Sequence, residues 1–244
     1  MRNVWIVARR ELGAIFVQPI AYIFAIMMTL VTGLLFSAQI SFPSAVGSGP
    51  PPNLAQILNT FTFLTIFAAP AITMRLLSEE QQTGTIELLM TLPVRDMEVV
   101  VGKFLAAFLF YAVVVALTLI YPLILLRFGN PDIGPIFSSY LGVLLWGASL
   151  LGIGILASSM SENQINAFML AFGIILLLYL TMIPAQLFAL TPPISTVLNE
   201  LSLSSHLTNF LNGLITAKDV LYYLIITAVA LFAAARVMES RRWR

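Results

Sequence analysis

Side chains that ordinarily carry chemistry are scarce in this sequence. Its 244 residues include no cysteine and a single histidine, His206. Disulfides, thiol catalysis and thiolate metal ligation are excluded, and paired-histidine metal motifs with them. One histidine is not a metal site, so His206 reads as a hydrogen-bonding residue. The Gly-x-x-x-x-Gly-Lys-Ser/Thr loop that cradles nucleotide phosphates does not occur; Gly102-Lys103 lacks the first glycine of that pattern. What stands out is the run Ser78-Glu79-Glu80-Gln81-Gln82-Thr83-Gly84-Thr85-Ile86-Glu87-Leu88-Leu89-Met90-Thr91-Leu92-Pro93-Val94. Its chemistry is that of docking. Gly84 breaks a helix, Thr85 can cap a new one, and Glu87 favours that helix's first turn through the dipole. Ile86, Leu89, Met90 and Leu92 give it an apolar side, and Pro93 ends it. Such a short helix suits a groove on another protein. A helix lying on a membrane surface is the alternative that periodicity leaves open.

The elements that must position this run are membrane spans. The chain is 59% hydrophobic and 9% charged, against about 25% charged for a soluble domain. So few charges cannot cover a soluble surface, whereas hydrocarbon removes that need. A spanning helix needs about 20 mainly apolar residues. Six stretches qualify: Pro19–Ile40, Ile57–Leu76, Phe104–Leu126, Ile136–Ser159, Ile165–Leu190 and Val220–Ala235. The fold class expected is therefore all-α, a polytopic membrane protein with residues 1–244 as a single transmembrane domain. The first stretch is too long for a signal peptide and reads as an anchor. Ten of the twelve lysines and arginines fall on one side of this arrangement, with Arg127 and Lys218 on the other. By the positive-inside rule both termini are cytoplasmic. Residues 77–102 and 160–164 then form cytoplasmic loops, and 41–56, 127–135 and 191–219 are external. Gly47-Ser48-Gly49-Pro50-Pro51-Pro52 reads as an external linker. The net charge of +1 offers no basic field for nucleic acid.

No ionisable residue lies near the middle of a span. Ion-coupled carriers usually keep one there despite its cost, so the energy for any transport cycle must come from another subunit. Residues 1–17 are amphipathic: Val4, Trp5, Ala8, Leu12, Ile15 and Phe16 can share a face, with Arg9, Arg10 and Glu11 largely off it. That suits an interfacial helix or a plain topogenic anchor. Gly142, Gly147, Ala148, Gly152, Gly154 and Ser158 on the fourth span allow close helix approach, within the subunit or between subunits. Residues 191–219 support one or two short external amphipathic helices. There His206, Phe210, Gly213 and Asp219 are candidates for a gate or a partner contact, and Asp219 is expected to cap the last span.

The run Glu80-x-x-x-Gly84-Thr85-Ile86-Glu87-Leu88-Leu89-x-Thr91-x-Pro93-Val94, continuing to Val101-Gly102-Lys103, resembles the signature of type-2 ABC exporter permeases. Ala8-Arg9-Arg10-Glu11-Leu12, Pro19-Ile20-Ala21-Tyr22 and the stretch from Ser205 to Gly213 are similar to the gliding-motility and nitrous-oxide-reductase-maturation branch. The resemblance implies a permease of the bacterial inner membrane without enzymatic activity of its own. Two ATPase subunits would carry ATP and Mg, and a second permease, identical or related, would complete the unit. It implies that residues 85–92 form a coupling helix on the ATPase, with Glu80, Gly84, Thr85, Ile86, Glu87, Leu88, Leu89, Thr91 and Pro93 as coupling residues. Ser161, Glu162 and Asn163 would make a second contact, and residues 1–17 would be the interfacial helix. A mechanotransmitting or scaffold subunit acting on periplasmic or accessory partners is the alternative. The substrate is not legible.

Overall fold

A computed structural model describes residues 2–46, 53–84, 95–128, 132–187 and 193–241. The expected linker 47–52 and the expected coupling helix 85–92, with Pro93, lie outside the described residues. Among the described residues the chain is helical, with no strand. The helices are α1 (Arg2–Val17), α2 (Pro19–Val46), α3 (Leu54–Gln82), α4 (Asp96–Leu117), α5 (Ile120–Phe128), α6 (Ile133–Met160), α7 (Gln164–Leu180), α8 (Met182–Leu187), α9 (Ile194–Leu201), α10 (Leu203–Leu211) and α11 (Ala217–Arg241). Among the described residues six stretches are long and apolar enough to cross a bilayer: Pro19–Ser41, Leu54–Gln82, Asp96–Arg127, Ile133–Met160, Gln164–Pro184 and Ala217–Ser240. The molecule is an all-α polytopic membrane protein.

Two expected spans are broken. The third divides at Thr118–Leu119 into α4 and α5, and the fifth ends as α7 at Leu180, with α8 following after Thr181. The cause lies downstream in each case. A proline removes one N–H and presses its ring on the carbonyl four residues earlier. For Pro122 that carbonyl is Thr118, and for Pro184 it is Leu180. The Thr118 carbonyl accepts instead from the Tyr140 hydroxyl at 2.9 Å and from the Tyr121 N–H at 3.1 Å. The break is thus satisfied rather than left open in an apolar surrounding.

At the centre stands α6, packed against α3, α4, α7, α10 and α11. In lipid there is little hydrophobic force between helices, so close packing and polar contacts must hold them. The small residues of α6 serve this within the chain. A methyl at Gly147 would land on the Tyr111 ring from α4, and one at Gly154 on Thr73 from α3. Gly142 receives Phe210 of α10, and Gly152 lies against Thr227 and Ala230 of α11. Trp146 is fully buried and meets the rings of Tyr179 and Tyr223 edge-on at 6.2 and 6.4 Å. The Tyr111 hydroxyl donates to the Val143 carbonyl at 2.9 Å, which fixes α4 to the same helix.

Along α4 runs α1. Asn3 meets Glu98, Val7 meets Gly102, Glu11 meets Lys103, and Phe16 meets Phe110. The apolar face expected for α1 is divided by this contact. Ala8 and Ile15 are buried, but Trp5 and Phe16 are 59% and 37% exposed and share the outer side with Arg9 and Arg10. The helix is rolled toward Glu11, because Lys103 holds that carboxylate inward.

Candidate functional site

The loop of greatest interest in the sequence leaves α3 at its C-terminal end, so the site begins with how that end is held. Ser158 of α6 uses its whole hydrogen-bonding capacity there. Its Oγ accepts the Leu77 and Ser78 N–H groups at 3.0 Å each and donates to the Met74 carbonyl at 3.1 Å. Gln81 donates through Nε2 to the Ser159 carbonyl at 2.9 Å, and Arg75 through Nε to Gln164 at 3.0 Å. The end of α3 is therefore tied to the end of α6 and the start of α7. The turn between those two helices is Ser161, Glu162 and Asn163. Asn163 caps α7 by accepting the Ile165 N–H at 2.8 Å, and Ser161 Oγ donates to the Asn163 carbonyl at 3.0 Å. Glu162 is exposed. The structure thus brings this turn and the root of the 77–102 loop to one end of the bundle.

Glu80 sits at the same place in a four-residue ion network. Its Oε1 lies 2.9 Å from Lys103 Nζ of α4 and 3.3 Å from Arg10 of α1. Glu11 of α1 completes the set, 3.2 Å from Lys103 and 2.6 Å from Arg10. Among the described residues two cations here face two carboxylates. Lys103 is only 1% exposed, while the Arg10 side chain is 60% exposed. A charge as buried as Lys103 persists only when paired, whereas the Arg10 contacts are screened by water. Three elements that are distant in sequence, α1, α3 and α4, thereby meet at one ammonium. Glu98 adds a further tie between α1 and α4: it accepts from Asn3 Nδ2 at 3.2 Å and from the Arg95 backbone N–H at 3.2 Å.

Past this network α3 stops. The Thr83 N–H donates to the Glu79 carbonyl at 3.0 Å, and Gly84 follows with φ of +71°. This is the left-handed C-terminal cap for which glycine is preferred. Of the expected coupling residues, Glu80 and Gly84 can be placed; Thr85, Ile86, Glu87, Leu88, Leu89, Thr91 and Pro93 lie outside the described residues.

At the opposite end α10 packs over α6 and α11, and α9 lies against α8 and α10. Phe210 is buried in the Gly142 notch, and its carbonyl accepts from Ser138 Oγ at 2.8 Å. Gly213 turns the chain with φ of +89° against Pro135. Asp219 is buried and gathers three donors: His206 Nδ1 at 2.5 Å, Thr216 Oγ1 at 2.6 Å and Asn209 Nδ2 at 2.8 Å. His206 Nε2 faces the Glu200 carbonyl at 3.1 Å, and the ring stacks on Tyr222 at 3.9 Å. Thr216, not Asp219, caps α11: its Oγ1 accepts the Asp219 N–H at 3.2 Å, and Asp219 stands as an acid in the first turn. Among the described residues no group of three or more His, Cys, Asp or Glu could hold a metal ion.

Arg10, Glu11, Lys103 and Ser158 were not singled out from the sequence as site residues. The nearest signal was Gly102-Lys103, where a glycine admits Val7 of α1 and a lysine stands just before an uncharged span.

The six spans found among the described residues define a multi-pass integral membrane protein. The family model described as "ABC-2 family transporter protein" matches residues 6–242, nearly the whole chain, and the chain belongs to that family. No curated protein matches it. It is thus a permease subunit of an ABC transporter, and the family implies association with an ABC ATPase subunit.

Proposed function

We propose that this chain couples ATP hydrolysis on a separate ATPase to export, or to other conformational work, across a bacterial inner membrane. The observation that carries this reading is the Glu80–Lys103–Glu11–Arg10 network beside the Ser158 clamp. A push on the loop beyond Gly84 is delivered to α3 at residues that grip α1, α4 and α6 together. The loop would then move a rigid assembly rather than one helix end. In this reading residues 85–92 dock on the ATPase, Ser161, Glu162 and Asn163 make the second contact, and ATP and Mg bind only on the partner. Two permeases and two ATPases form the unit, both termini of this chain are cytoplasmic, and α9 and α10 cover the outer end as a gate or partner contact. The motif likeness to the gliding-motility and nitrous-oxide-reductase-maturation branch supports placement there.

Co-purification with the cognate ATPase tests the coupling. Gly84→Pro denies the left-handed cap, and Leu89→Asp puts a charge on the docking side. Both variants are expected to lose ATPase binding or uncouple hydrolysis, while the permease still inserts and purifies. Full binding and full stimulated ATPase activity in both would sink the assignment.

A further inference from the structure

The outer side of α1 is left over by everything described so far. Trp5, Ile6, Arg9, Arg10 and Gly13 line a shallow depression of about 490 Å³ on that side. Trp5 and Ile6 are each 59% exposed and Val17 is 82% exposed. Arg9 is exposed and has no hydrogen-bond or ion-pair partner among the described residues. Gly13 leaves the floor open, since a Cβ there would meet nothing within 4 Å.

The depth of this feature follows from its neighbours. Arg10 reaches Glu80 at the end of α3, and its partner Glu11 reaches Lys103, the last charge before the uncharged run Phe104–Leu126. The two arginines therefore stand where hydrocarbon begins. Phe16, next to Val17, rests on Phe110 at 5.6 Å between centroids. Phe110 lies about 10 Å beyond Lys103 at 1.5 Å per residue, at the depth of acyl chains. Along one stripe the order is an aromatic ring, two guanidinium groups, a hollow, and then apolar side chains. Tryptophan favours the headgroup level, and guanidinium groups pair with phosphate oxygens in bidentate fashion.

We propose that this stripe binds an anionic phospholipid. The headgroup phosphate lies over Gly13 between Arg9 and Arg10, the polar headgroup beyond the phosphate lies beside Trp5 and Ile6, and the glycerol and acyl chains continue along Phe16 and Val17. Charge selects the ligand: Arg10 is shared with Glu11 and Glu80, but Arg9 is unspent. A zwitterionic lipid brings its own cation to the site and gains less.

The test is a binding titration of the purified full-length protein in uncharged detergent. The probes are phosphatidylglycerol, phosphatidylcholine with the same acyl chains, and glycerol 3-phosphate as the headgroup without chains. Phosphatidylglycerol is expected to bind at least about fivefold more tightly than phosphatidylcholine. Arg9→Gln is expected to weaken it by about fivefold, the worth of one basic residue near a charged surface. Gly13→Glu fills the hollow and places a carboxylate one turn from both arginines, so it should abolish the preference. That position points into open space, so the variant remains informative even where Arg9→Gln accumulates poorly. Equal binding of the two lipids, an unchanged preference in Gly13→Glu, or competition by glycerol 3-phosphate as strong as by the lipid would overturn the proposal. So would loss of ATPase co-purification in Gly13→Glu with the lipid preference intact, because the stripe would then seat a protein.

Discussion

Among the described residues Lys103 is the one lysine or arginine that is buried. It is buried between Glu11 and Glu80, and its loss would remove the buried cation that the two carboxylates share. Breaking a buried pair costs about 3–5 kcal/mol. Lys103→Met is therefore expected to lower the melting temperature in detergent sharply. Lys103→Met combined with Glu80→Gln should recover part of the loss, since one unpaired charge goes with its partner. A double variant no more stable than Lys103→Met alone would show that the two residues are not coupled. Gly147 makes a steric counterpart. Any Cβ there meets the Tyr111 ring, and overpacking of this kind costs about 1–3 kcal/mol. Gly147→Ala should destabilise, and Gly147→Ala with Tyr111→Leu should be less harmed.

At the scale of elements, the spans were legible in the sequence and their breaks were not. Length and apolar composition suffice to find a span, because hydrocarbon demands about 20 residues of one character. Composition is blind to a break whose cause sits four residues downstream, as with Pro122 and Thr118. The ion network escaped for a related reason. Glu11 and Lys103 are 92 positions apart, and Arg10 and Glu80 are 70 apart; no local pattern joins them. The sequence places Glu80 in a docking run, and its pairing with Lys103 follows from the packing of α1 and α4 against α3. The small residues of α6 allowed two readings, and the partners named above place them in contacts within the chain. In the sequence Asp219 is a stronger cap signal than Thr216, three residues before it. At the far end, Asp219 holds α10 to α11 through His206 and Asn209. Asp219→Asn should loosen α9 and α10 first, seen as faster amide exchange at residues 194–211 than at residues 133–160. Equal protection of both segments would contradict this.

At the scale of the whole molecule, the absence of cysteine is an experimental opening. Single cysteines in place of Ser161 and Leu214 stand on an otherwise unreactive background. The charge distribution expects a cysteine at 161 to react with an impermeant maleimide only after the cells are opened, and one at 214 to react in intact cells. The reverse result would invert the proposed orientation and with it the placement of the ATPase.

The buried ammonium also imposes an order on assembly. Synthesis proceeds from the N-terminus, so Glu11 and Glu80 are made well before Lys103 exists. Until the third span arrives, α1 and the end of α3 carry carboxylates whose buried partner has not yet been synthesised. The docking of α1 is thereby deferred to the insertion of α4, and a chain interrupted before residue 103 is left with an electrostatic mark of being unfinished.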